Sequence, residues 1–357
     1  MKKSYLLLVA LFVLFVGASC SDDDNEGVVP AKISTGLYVL NSGLGGSNNA
    51  SLTHLNYVDS VVSQNVFATA NGQDMGDTGQ DVLVYGSKMY LSMSGSDLIF
   101  VTDLKSKIIE TLKFTEAHQP RSLVAHKGKV FASFFNGAVA SIDTLNFESK
   151  ITKSGLGLEE IAVVNDQLYV AVSGYNGDFY NPTRDSVVSV FDCKTLEKVK
   201  DIEVVLNPTK LCAYGNDIYV LSMGDYGAIP VTLQHLDAVT GKLSTITIPT
   251  EYNAPFDMAI GKGGVLYLGC GGYDENWNTT GSIYAYDKEA NSFSQFIKGD
   301  LILYTYSVNT NLTTGDVYLG LSDFKNTGDV MIYSSEGELK GTIETGINPL
   351  ATANVVE

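Results

Sequence analysis

The sequence predicts an all-β fold, a seven-bladed β-propeller closed by its own C-terminal strand, and three observations predict it. Short runs rich in Val, Ile, Tyr and Leu alternate with Gly, Asn and Asp turns, and almost nothing reads as helix. A unit of four such strands recurs seven times. The last segment of the chain resembles a strand that the first unit lacks.

Each unit repeats the same parts in the same order. Its second strand carries an aromatic: Tyr38, Tyr90, Phe131, Tyr169, Tyr219, Tyr267 and Tyr318, spaced 38 to 52 residues apart. Its third strand ends on Asn56, Asp103, Asp143, Asp192, Asp237, Asp287 or Ser334. These side chains bond their own backbone in tight turns, so both series read as structural, the aromatics filling space between blades. Radial closure protects strand edges that an open sheet of this length would expose. The segment from Pro349 to Val356 resembles Pro120–His126, the inner strand that opens the third unit. The first unit, starting at Gly36, has no such strand, so the C-terminus is expected to supply it and close the ring. Residues 33–357 are read as one cooperative domain.

The N-terminus predicts export. Lys2 and Lys3 precede an apolar run from Leu6 to Val16, and Gly17, Ala18 and Ser19 lead into Cys20. This is a secretory signal over 1–19, too short to span a bilayer. A cysteine at the cleavage site predicts lipidation of Cys20 by diacylglycerol, although Gly17 stands where a leucine is usual. The acidic run Ser21, Asp22, Asp23, Asp24, Asn25, Glu26 resembles the signal that sends Bacteroides lipoproteins to the outer face of the outer membrane. Residues 20–32 then read as a flexible tether. Attachment to a membrane is expected through the lipid alone.

A net charge of −17 opposes contact with nucleic acid or anionic lipid. Beyond Cys20 the cysteines are Cys193, Cys212 and Cys270, an odd number, each in or beside an apolar run. They read as buried, inert thiols. His54, His118, His126 and His235 pair by spacing with neither one another nor a cysteine, so no metal site is expected. No nucleophile elbow is present, and with 40 acidic residues carboxylate pairs arise by chance. The chain is read as a non-enzyme without a cofactor.

Loop lengths point to a binding face. From second-strand aromatic to third-strand turn residue, blades two and three use 13 and 12 residues, whereas the other five use 16 to 23. In a propeller this loop shares a face with the blade-to-blade connection, so five enlarged loops are expected to crowd one rim of the central channel, where binding residues concentrate. Blade four contributes Tyr175, Asp178, Phe179, Tyr180 and Arg184, and blade five Tyr226. Blade six contributes Tyr273, Asn276 and Trp277, blade seven Phe324, and the start of blade three Arg121. Aromatic faces beside amides and hydroxyls suit a bulky ligand that is partly flat and partly polar; the alternative is that the rings brace long loops. The connection from Asn71 to Asp81 is glycine-rich but acidic, which opposes phosphate binding, and it fits no EF-hand.

With the repeats laid out, Gly36–Gly43, Met75–Asp81 and the Pro120-Arg121 start of blade three resemble the YncE-like propeller lipoproteins of Bacteroides surface loci. The resemblance covers nearly all of the mature chain and is nearest to the BtuG-type cobalamin-capture lipoproteins. It implies an outer-membrane, surface-exposed lipoprotein that captures vitamin B12 or another corrinoid and passes it to a TonB-dependent transporter. It transfers no ligand contact residue by residue. The alternatives are a surface lipoprotein for another small-molecule nutrient (a glycan, haem or siderophore) and a propeller enzyme, a lyase or hydrolase.

Overall fold

Seven antiparallel four-stranded sheets stand around a central axis. The computed structural model describes residues 33–249, 252, 254–273, 279–297 and 305–356, with backbone alone for 272, 273, 279 and 280. Cys20, Ser21, Asp22, Asp23, Asp24 and Glu26, and in blade six Asn276 and Trp277, lie outside the described residues. The innermost strands of blades two to seven are Gly79–Tyr85, Pro120–His126, Leu158–Val164, Pro208–Tyr214, Pro255–Ile260 and Thr305–Thr310. Each lies against the next around the ring.

Blade one is assembled from both ends of the described chain. Its strands, from the axis outward, are Pro349–Val356, Ser34–Asn41, Ser51–Asn56 and Val62–Ser63. The closing strand pairs antiparallel with Ser34–Asn41 along its whole length, Ser34 opposite Val356 and Asn41 opposite Pro349. It completes the contact ring between blades seven and two. The expectation for the C-terminus is met.

The two repeated series are structural. All seven second-strand aromatics are at most 3% exposed. They fill the wedges between sheets, which is where the apolar core lies. The third-strand side chains accept backbone N–H groups two to four residues on: Asp143 from Leu145 and Asn146, Asp192 from Lys194 and Thr195, Ser334 from Glu336 and Glu338. The donated hydrogen bonds hold the Asp143, Asp192 and Asp237 carboxyls below the usual range. Each turn therefore carries its own lock.

Helix is scarce but present. A short helix, Val66–Asn71, starts the blade-one to blade-two connection and buries Phe67 against Phe100. Its signal was masked because one apolar turn of six residues resembles a short strand. The loop that follows ends earlier than its sequence limits indicate, because Asp81 already belongs to the inner strand.

Candidate functional site

A repeated backbone contact fixes which loops share a face. The first residue after the second strand donates its N–H to the residue just before the inner strand of the same blade. The pairs are Ser42 to Asn348, Ser94 to Thr78, Phe135 to Gln119, Ser173 to Gly157 and Met223 to Asn207. Thr78, Gln119, Asn207 and Asn348 all take left-handed backbone conformations there, φ +49° to +63°. Such a conformation is costly for a side-chain-bearing residue unless its surroundings hold it. The enlarged loops and the blade-to-blade connections therefore meet at one end of the axis.

Just inside that end, every innermost strand slips register over its first residues against its neighbour. A β-bulge re-aims the residue beside it. The slip recurs in all seven blades and breaks the in-out alternation, and in blades two to five it places consecutive polar residues at the channel mouth. A cavity of about 520 Å³ runs down the axis, lined there by Gln80, Arg121, Glu159 and Thr209, with Asp81, Glu160, Lys210 and Asp257 below.

The lower ring is a set of charged latches. The carboxylates of Asp81, Glu160 and Asp257, in blades two, four and six, each accept the backbone N–H of an apolar residue one blade on. The donors are Leu123, Leu211 and Val308, at 2.7, 2.9 and 2.8 Å. Lys210 Nζ stands 2.8 Å from both Glu160 Oε1 and Asp257 Oδ1. Burial works against its charge, but the two carboxylates outweigh it and raise the Lys210 pKa. Burial pushes Asp81 up to about 7, against the Leu123 hydrogen bond and with Glu160 adding to it. Glu160 is raised by burial as well.

Around the mouth runs a row of cations and rings. Arg121 pairs with Glu159, Nη2 to Oε2 2.5 Å, and donates to Gln80 Oε1 at 3.0 Å. Its guanidinium lies 5.8 Å from the Phe135 ring, which meets Tyr175 edge-on at 5.9 Å. Arg184 lies over both Tyr175, at 5.2 Å, and Tyr226, at 5.6 Å. Tyr175, Phe179, Arg184 and Tyr226, four of the residues expected from loop length, line one cleft of about 480 Å³. Glu159 and Thr209 line both this cleft and the channel, so the two adjoin.

The remaining expected residues are placed differently. Asp178 is taken up within its own loop, accepting the N–H groups of Tyr180 and Asn181, which hold its carboxyl below the usual range. Tyr180 is 88% exposed, edge-on to Phe179. Tyr273 ends the second strand of blade six rather than lying in a loop, because that hairpin extends to pair Tyr273 with Thr279. Phe324 is not in the cleft but packs edge-on, 5.4 Å, on Tyr306 of blade seven. Sequence reasoning missed Tyr306, Phe135, Glu159 and Lys210. For Glu159 and Lys210 the signal was the doubled polar pair near the start of the inner strand, Glu159-Glu160 and Thr209-Lys210, which departs from period two.

Other expected features resolve individually. Asp77 accepts from the Gly46 N–H while its own N–H donates to Ser96, tying blade-one and blade-two loops together. Among the described residues no cluster of His, Cys, Asp and Glu could hold a metal ion. Cys193 and Cys270 are buried, and burial pushes both thiols up to about 12. Cys212 departs from the expectation in part: it packs against the apolar cluster between blades five and six but is only partly buried and also lines the channel cavity.

No family model matches the chain, and no curated protein matches it. Solved structures do. A provisional 6-phosphogluconolactonase from Bacteroides fragilis NCTC 9343 superposes with a TM-score of 0.62 at 12% identity, over 94% of this chain and 100% of that one. The WD40 repeats of RRP9 give 0.57 at 9% identity, over 76% and 81%. A computationally designed protein, Ika8, gives 0.56 at 11% identity, over 88% and 90%. At these identities the likeness is one of fold, and it is the propeller.

Proposed function

We propose that this chain is a surface lipoprotein of the outer membrane, anchored through Cys20, that captures a corrinoid such as vitamin B12 and passes it to a TonB-dependent transporter. The observation that carries the binding part is the cleft at the channel mouth, where Tyr175, Phe179, Arg184 and Tyr226 converge. Phe179 and Tyr226 are 84% and 70% exposed there. Large apolar surface is left open beside guanidinium and hydroxyl groups, as a ring system rimmed with amides requires. The address rests on the Lys2 to Glu26 sequence and the corrinoid on the resemblance to cobalamin-capture propellers.

Two measurements test the parts separately. Cells fed a clickable palmitate analogue should label the wild type and leave Cys20→Ala unlabelled; comparable labelling of both would remove the anchor. Calorimetry with the purified propeller should detect cyanocobalamin binding. Losing aromatic anchors at a binding hot spot costs about 2 kcal/mol or more, so Tyr175→Ala with Tyr226→Ala should weaken binding more than tenfold at an unchanged melting temperature. Binding of haem or a glycan in place of the corrinoid would assign another nutrient.

A second reading, a propeller hydrolase, has one observation in its favour. Arg121, Glu159 and Lys210 bring paired opposite charges to an accessible channel in a fold shared with the provisional lactonase. Turnover of a phosphorylated sugar lactone, abolished in Glu159→Gln, would establish it.

A further inference from the structure

Arg184 differs from the chain's other arginine in one respect. Arg121 is neutralised by Glu159, whereas no carboxylate is within ion-pair distance of Arg184 among the described residues. The nearby acids are committed elsewhere. Glu159, in the same cleft, is held by Arg121. Asp178 accepts two N–H groups of its own loop, and Asp185 accepts the N–H of Ser186. The Arg184 Nη1 donates to the Thr183 carbonyl at 3.1 Å, and its buried Nε has no acceptor. A guanidinium with unspent donors is costly beside apolar surface, and in a chain of net charge −17 a carboxylate partner would have been easy to supply.

The geometry also fixes the orientation of that charge. Tyr175 and Tyr226 cover the guanidinium, so its planar donor edge is what remains for a partner. The exposed Phe179 ring and Pro182 line the same cleft as that edge. We infer that the cleft between blades four and five takes a flat aromatic ring carrying an anionic oxygen group, phosphate or carboxylate, with the anion against Arg184 and the ring against Phe179 and Tyr226. This rests on the cleft being the capture site and names what it captures. Planar, charge-assisted pairing is the recognition arginine supplies and lysine does not.

The test compares ligands that differ in the anion and in the aromatic ring that goes with it. Cyanocobalamin should bind the purified propeller at least tenfold more tightly than cobinamide, which lacks the nucleotide and its phosphate. Arg184→Met should remove this preference, weakening cyanocobalamin at least tenfold more than it weakens cobinamide, and Arg184→Lys should retain part of it. If Arg184→Met melts early, the Lys variant decides, a reduced preference sustaining the inference and a full one overturning it. Equal affinity for the two corrinoids, or a preference that survives in Arg184→Met, overturns the inference and leaves corrinoid capture standing. If neither corrinoid binds, corrinoid capture fails, and adenosine 5′-monophosphate against adenosine decides the inference alone. A preference for the monophosphate that Arg184→Met abolishes sustains it, and the absence of one overturns it.

Discussion

Deletion of Pro349–Glu357 is expected to abolish cooperative folding near physiological temperature, or to lower the melting temperature by about ten degrees or more. The deleted strand supplies the innermost ladder of blade one, paired along all of Ser34–Asn41. It also carries Ala351, Ala353 and Val355 into the core. Its loss uncovers Leu37, Tyr38 and Leu40, now at most 3% exposed, and leaves the inner edge of that sheet unpaired. Several ladder hydrogen bonds at about 1 kcal/mol each, plus the apolar surface, come to ~5 kcal/mol or more. That approaches the whole stability of an ordinary domain. A thermal melt followed by circular dichroism reads it directly. A truncated chain that melts like its parent would mean the ring closes without this strand.

Lys210→Met is expected to cost about 3 kcal/mol of stability, far more than its volume change accounts for. Lys210 is the shared cation of Glu160 and Asp257, and removing one partner of a buried pair strands the others. Asp257 suffers most, since its side chain is 8% exposed. Lys210→Arg should recover part of the loss. Combining Lys210→Met with Glu160→Gln should cost less than the sum of the two single changes, because a neutral residue 160 removes one stranded charge. Denaturant unfolding of the four variants supplies the cycle. Additive losses would show that the three side chains are neighbours without being coupled.

These latches mark the boundary of what the sequence disclosed. The seven blades were legible because the buried second-strand aromatics and the Asx turns recur at the same place in every unit, and local patterning suffices to specify them. The C-terminal closure was legible for the same reason: Pro349–Val356 carries the pattern of an inner strand. The cleft was half legible. Loop lengths singled out Tyr175, Phe179, Arg184 and Tyr226, which do converge. The charged channel was not legible, because Asp81, Glu160, Lys210 and Asp257 lie in four different blades and meet only when the ring closes. Equal sequence spacing does not fix placement. Tyr175 and Phe324 each stand six residues past their blade's aromatic, yet one turns into the cleft and the other onto Tyr306, since loop conformation is not periodic.

The pairing of Ser34 with Val356 has a practical meaning of its own. Both ends of the described ring emerge beside the short turn that carries Asn311, whose amide reaches the Ser34 hydroxyl, and thus away from the rim bearing Tyr175 and Tyr226. A short peptide linker would therefore bridge them, and the chain could be reopened in the exposed turn at Leu145 to give a circular permutant with its strand order intact. A reporter or a biosensor surface attached at Val356 would likewise leave the rim clear for ligand.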